Sequence, residues 1–199
     1  MKKRIAAVVV VSAVVVLAIV GRVGRATTWS SVGPEQAARV FPLPAHAEVP
    51  PSPDLVVERF IVITAPPGAI YELLAAVEQW PTWDPAITSA RADAHRSLEV
   101  GDTFSKEESG TAITARVLEA EPGRLLRWRG LAPGGIVGIH SLRLVALDER
   151  RTLVVNREEY SAWFLRLVGG VTDLGIGAQF DRTLGALRVA AESRPATAS

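Results

Sequence analysis

Residues 56–77 read VVERFIVITAPPGAIYELLAAV, and the change of pattern inside that stretch decides the fold class. Val56 to Thr64 is rich in β-branched and aromatic side chains, which suit a pleated, half-buried surface. Pro66-Pro67 stops the run, because proline removes an amide donor and drives the residue before it toward extended geometry. Pro67 is also placed to open a helix at its first position. Ile70, Leu73, Leu74 and Val77 then give an apolar face at helical spacing. A strand therefore leads directly into a helix, which is expected to end before Trp80-Pro81.

Downstream the pattern returns to strands. Ile87 to Ser97, Thr103 to Glu108, Thr111 to Glu121, Leu125 to Arg129, Ile136 to Leu147 and Thr152 to Tyr160 are alternating or β-branched runs. Val100-Gly101-Asp102, Ser109-Gly110, Pro122-Gly123, Pro133-Gly134-Gly135 and Asp148-Glu149-Arg150 separate them as hairpin-type turns, so the strands should pair antiparallel. A long helix from about Ala162 to Glu192 closes the chain. Phe164, Leu167, Val171 and Leu174 form one apolar stripe on it, and Phe180, Leu184, Leu187 and Ala191 a second. Gly169-Gly170, Gly175 and Gly177 lie in or between the stripes; each interior glycine costs about 1 kcal/mol relative to alanine, which points to a kink, a close contact or a mobile half-helix. The class is α+β.

The start of the chain is of a different kind. Lys2-Lys3-Arg4 precedes Ile5 to Val20, apolar except for Ser12, and Arg22 and Arg25 follow. At about 1.5 Å per residue, Ile5 to Val23 matches the hydrocarbon thickness. Gly24-Arg25-Ala26 is a poor cleavage pattern, so residues 1–25 read as an uncleaved N-terminal hydrophobic helix, with a cleaved signal and a secreted product as the alternative. The basic residues before the run outnumber those after it and hold the N-terminus in the cytoplasm; the domain would then be extracytoplasmic on a single-pass anchor in the cell membrane. Pro34, Pro42, Pro44, Pro50, Pro51 and Pro53 mark residues 26–55 as a linker. Residues 56–194 form the folded domain, and 195–199 a disordered tail.

Composition excludes several classes of function. The 199 residues carry 22 Lys and Arg against 21 Asp and Glu, with no basic block beyond Lys2-Lys3-Arg4, so no nucleic-acid partner is implied. Cysteine is absent, which removes disulfides, zinc–thiolate sites and thiol chemistry. His46, His95 and His140 are far apart and in no metal-type spacing. No metal, no cofactor and no catalytic residue is assigned. Glu158 and Glu159 are neighbours in a strand and point to opposite faces, so they are not a paired-carboxylate site. Arg127 and Arg129 alternate with Trp128, which places the arginines outward and Trp128 with Leu126 inward. His140, Leu142, Leu144 and Ala146 share one strand face while Arg143 takes the other, so His140 should point inward. There it needs a partner, from Tyr71, Asn156, Glu158, Glu159 or a bound ligand.

The chain from Val56 onward resembles the polyketide cyclase/dehydrase and lipid-transport family of the START and Bet v 1-like (SRPBCC) superfamily. The likeness lies in Ile61 to Tyr71, Trp80-Pro81-Thr82-Trp83-Asp84-Pro85, Val100-Gly101-Asp102-Thr103-Phe104, Arg116 to Trp128, His140-Ser141-Leu142, Thr152 to Tyr160 and Phe180 to Glu192. The approach from Phe41-Pro42-Leu43-Pro44 to Leu55 resembles that of membrane-anchored members. The resemblance implies a helix-grip fold, a curved antiparallel sheet wrapped on the C-terminal helix around an apolar cavity. It implies no single reaction.

Trp83, Phe104, Trp128, His140, Leu142, Glu159, Leu167 and Val171 are the residues expected to line that cavity and bind the ligand. Inward polar groups look few, which favours a membrane-tethered binding protein for an apolar or amphipathic small molecule, such as a lipid, an isoprenoid or a polyketide-like compound. The alternative is a cyclase or dehydratase acting on a polyketide-like substrate in the same cavity. Asn156 and Glu158 enter only as possible partners of His140.

Overall fold

The computed structural model describes residues 53–93, 97–133, 136–161 and 165–194, with the side chains of 165–174 outside the description. Seven strands form one antiparallel sheet: β1 (Leu55–Ile63), β2 (Ile87–Ala92), β3 (Thr103–Glu108), β4 (Thr111–Glu121), β5 (Leu125–Ala132), β6 (Ile136–Ala146) and β7 (Thr152–Ser161). Their spatial order is β1-β7-β6-β5-β4-β3-β2. Among the described residues three α-helices accompany them: α1 (Pro67–Ala75), α2 (Trp80–Trp83) and α3 (Leu165–Glu192). The curved sheet with the C-terminal helix laid on it is the helix-grip arrangement.

Turn chemistry fixes the pairing. Ser109 and Gly110 both adopt positive φ, 51° and 79°, the geometry of a two-residue turn whose twist matches that of the strands it joins. Thr103–Glu108 therefore folds straight back onto Thr111–Glu121, with Glu108 opposite Thr111. Gly123, at φ 70°, performs the same reversal between β4 and β5. A register shift between Val117 and Glu119 bends β4.

One face of the sheet carries the core. Ile61, Ile63, Val117, Leu126, Leu142, Leu144 and Val154 pack with Ile70, Leu73 and Leu74 of α1 and with Leu184, Leu187 and Ala191 of α3. Each fully buried leucine or isoleucine contributes about 1.5–3 kcal/mol. Glu192 at the end of α3 accepts from the Thr64 amide at 2.9 Å, tying the helix to the end of β1.

The first helix ends at Ala75, before Trp80-Pro81 as expected, while two strand ends shift. After a 3₁₀ turn at Val77–Gln79, Trp80–Trp83 forms a separate helical turn with Pro81 in its first positions, where a missing amide costs nothing. Trp80 is held there by donating Nε1–H to Leu74 O at 3.0 Å. β2 ends at Ala92 rather than Ser97, and β5 runs on to Ala132 rather than stopping at Arg129. α3 is one continuous helix through its glycines; at Gly177 the Arg59 guanidinium fills the space a β-carbon would take. Among the described residues no helix is long and apolar enough to cross a membrane. The hydrophobic run from Ile5, the proline-rich linker up to Ser52 and the 195–199 tail lie outside the described residues; the last linker residue, Leu55, already belongs to β1.

Candidate functional site

Strand register assembles the site. His140 on β6 pairs with Trp128 on β5 and Glu158 on β7, and Asn156 on β7 pairs with Arg59 on β1 and Leu142 on β6. Directly paired residues share a face, so a strip of polar side chains crosses the core face of the sheet beneath α3.

His140 is its centre. Nδ1 lies 3.2 Å from Glu158 Oε2, and that same oxygen accepts from the Tyr160 hydroxyl at 2.8 Å. Nε2 lies 2.5 Å from Asn156 Oδ1. The ring stacks on Trp128 at 4.4 Å and faces Phe180 of α3 at 5.4 Å. Both nitrogens thus face oxygens, Nδ1 the Glu158 carboxylate and Nε2 the Asn156 amide. Burial, and then the neighbouring Glu158, push the Tyr160 hydroxyl well above its ordinary range, which keeps it a donor. Gly138 supplies the room: the Glu158 carboxylate stands where a β-carbon at 138 would be.

A second group adjoins the first. Lys106 on β3 is 7% exposed, its Nζ 2.5 Å from Glu108 Oε2 and 5.5 and 5.8 Å from the ring centres of Trp80 and Trp128. Gln179 of α3 donates to Glu108 Oε1 at 2.8 Å. Desolvation pushes the Glu108 carboxyl upward, but Lys106, the charge of His140 and the Gln179 bond together outweigh it and hold the group below the usual carboxylate range. Asp84, after α2, accepts from the Ala86 amide and from Thr183 of α3, each at 2.9 Å. Burial is the larger influence there and raises its carboxyl.

Of the expected site residues, Phe104, Trp128, His140 and Leu142 lie together in this interior; Trp80 bridges Phe104 and Trp128 with ring centres 5.4 and 5.7 Å away. Trp83 is half-buried against the same core, and its Nε1 has no hydrogen-bond partner. Glu159 is a correction. It occupies the opposite sheet face, paired in register with Val56 and Ile139, where Arg157 holds its Oε1 at 2.9 and 3.0 Å; Glu158 is the inward member of the pair. The side chains of Leu167 and Val171 lie outside the description. Arg127 does point outward, yet it is buried and paired with Glu119 at 2.6 Å. The expectation of few inward polar groups fails as well: Lys106, Glu108, Asn156, Glu158 and Tyr160 all join His140. Alternation with Phe104 would have turned Lys106 and Glu108 inward. Among the described residues no group of three or more acidic, histidine or cysteine side chains is placed to hold a metal ion.

The fold recurs in solved structures at low identity. A Helicobacter pylori protein matches with a TM-score of 0.59 at 17% identity, over 84% of this chain and 99% of its own. The Zhui aromatase/cyclase from Streptomyces sp. R1128 matches at 0.57 and 19%, over 70% of this chain and 94% of its own. A Chromobacterium violaceum protein matches at 0.56 and 18%, over 70% of this chain and 99% of its own. At such identities the likeness is one of fold alone. No curated protein matches the chain. The family profile for polyketide cyclase/dehydrase and lipid transport matches residues 54–192, which takes in both the gripping sheet and the helix over the polar strip: the chain belongs to that family.

Proposed function

We propose that the protein binds an amphipathic small molecule between the sheet and α3, close to the membrane in which Ile5 to Val23 anchors it. The apolar body lies against Trp128, Phe104, Trp83 and Leu142, and the polar end meets the strip of His140, Asn156 and Glu158. One observation carries this reading. Buried charges are retained on a face that apolar side chains could fill at lower cost, since removing an ion from water costs several kcal/mol. Polar groups of this kind, converging within an apolar surround, are what orients a ligand.

A cyclase or dehydratase is the second reading, favoured by the bracing of His140 by a carboxylate, as proton transfer requires. The same geometry limits it. Both ring nitrogens are already engaged and both ring faces covered, so neither nitrogen is left to take a proton from a substrate.

Full-length protein extracted from membranes and denatured under mass spectrometry should release one small amphiphile in about stoichiometric amount. An empty interior, with no response of tryptophan emission to decanoate, would overturn the binding reading. Conversion of a released compound on re-addition would establish the enzyme. For the anchor, the full-length protein should sediment with membranes and resist salt extraction, and external protease should reach its C-terminal domain in spheroplasts. A soluble product beginning near Thr27 would mean a cleaved signal.

A further inference from the structure

We infer that Asn156 reads the head group, and that the molecule bound carries an oxygen acceptor there, a carboxylate or a carbonyl, rather than a donor such as an ammonium. This rests on the binding reading above and names its ligand class. Asn156 is 1% exposed, and its Nδ2 has no hydrogen-bond partner. An unpaired buried donor costs about 1–3 kcal/mol, and a leucine at this position would avoid the cost.

The amide oxygen is the end of Asn156 that meets His140, 2.5 Å from Nε2. The Glu158 carboxylate takes His140 Nδ1–H, and Trp128 and Phe180 cover the faces of the ring. With Oδ1 turned to Nε2, Asn156 turns Nδ2 away from the ring, where it has no hydrogen-bond partner. Directly across β1, Arg59 adds positive charge on the same face, with its Nε 3.8 Å from Asp181 Oδ1 of α3. A ligand oxygen completes Asn156, whereas an ammonium brings a second donor to a donor beside a guanidinium. His140 is then a positioning residue, acting on the ligand through Asn156.

Three probes of equal chain length separate the possibilities: decanoate, 2-undecanone and decylammonium, titrated calorimetrically into full-length protein in nanodiscs with empty discs subtracted. Decanoate and the ketone should bind at least about tenfold more tightly than decylammonium, one good hydrogen bond being worth about that factor. Asn156→Asp keeps the oxygen that faces His140 and replaces the donor by an acceptor, so it should lower that ratio at least about tenfold with the melting transition still cooperative. A wild-type preference for decylammonium, equal binding of all three, or an unchanged ratio in the variant would overturn the inference while leaving the binding site standing. Failure of every probe to bind would remove the binding reading itself, and this one with it.

Discussion

The carboxylate of Glu158 occupies the space that a β-carbon on Gly138 would fill. The two residues sit on adjacent strands, Gly138 opposite Tyr160 and His140 opposite Glu158, so the missing side chain on β6 lets the acid reach both His140 and the Tyr160 hydroxyl. Alanine ordinarily improves on glycine in a strand by about 0.5–1 kcal/mol. Here Gly138→Ala should instead destabilise by about 1–3 kcal/mol, because the displaced carboxylate leaves buried donors unpaired. In a Glu158→Ala background the same change should turn neutral or stabilising. Urea unfolding of the four proteins measures the coupling, and additive effects would show that the two do not act together.

A parallel contrast lies in α3. Nothing stands within 4 Å of a β-carbon built at Gly185, whereas at Gly177 the Arg59 guanidinium is in the way. Gly185→Ala should stabilise by about 1 kcal/mol, the ordinary helix preference. Gly177→Ala should gain little, since Arg59 must give up its hydrogen bond to Glu58 O and its approach to Asp181. Pairing Gly177→Ala with Arg59→Ala should restore the full gain. Equal stabilisation by the two single changes would show that Arg59 moves aside freely.

Much of this architecture is readable in the chain because alternation and turn chemistry are local. The seven strand runs lie where β-branched residues alternate, and Ser109-Gly110 supplies its hairpin from two residues alone. Local pattern also turns His140 inward, since Arg143 needs the other face. The choice of Glu159 over Glu158 failed although the signal was present: Arg157 shares Glu159's parity, and Asn156 and Tyr160 share that of Glu158. What local pattern does not contain is the partner of a buried charge. Lys106 survives inside because Glu108 is neutralising it and Gln179, 71 residues further on, completes Glu108. Such pairs form only once α3 has been laid on the sheet.

The Lys106–Glu108 pair predicts an acid-sensitive component of stability. The folded carboxyl of Glu108 is lowered from its usual 4.5, so its contribution is fully present above that value and is lost as pH falls through the lower folded value. Glu108→Gln leaves Lys106 buried beside Trp80 and Trp128 without its counter-charge. At neutral pH the variant should be about 3 kcal/mol less stable, the low end for breaking a buried pair. The deficit should shrink on acidification, as wild-type Glu108 is protonated. A deficit independent of pH would assign the loss to the Gln179 contact instead.

Asp84 gives the opposite sign. Its folded carboxyl is raised above the usual 3.8, first by burial, with Glu108 adding to it against the lowering influence of Ala86, Thr183 and Lys106. A raised acid favours the protonated folded state: the associated stability is present below 3.8 and is lost as pH rises through the folded value, so at neutral pH the ionised group is a net cost. Asparagine keeps the shape, its Oδ1 still accepting from the Ala86 amide. Its amide nitrogen faces the Thr183 hydroxyl, which can reverse its role from donor to acceptor. Asp84→Asn should therefore melt higher than wild type at neutral pH, with the gap closing as pH falls through the raised folded value and closed below 3.8. Thr183→Val removes a bond that favours the charged form, and it should lower the melting temperature at neutral pH more than at low pH. Melting curves of the wild type and both variants across the acid range decide the matter; an Asp84→Asn protein that melts lower than wild type at neutral pH would mean that the ionised carboxylate stabilises this junction between α2 and α3.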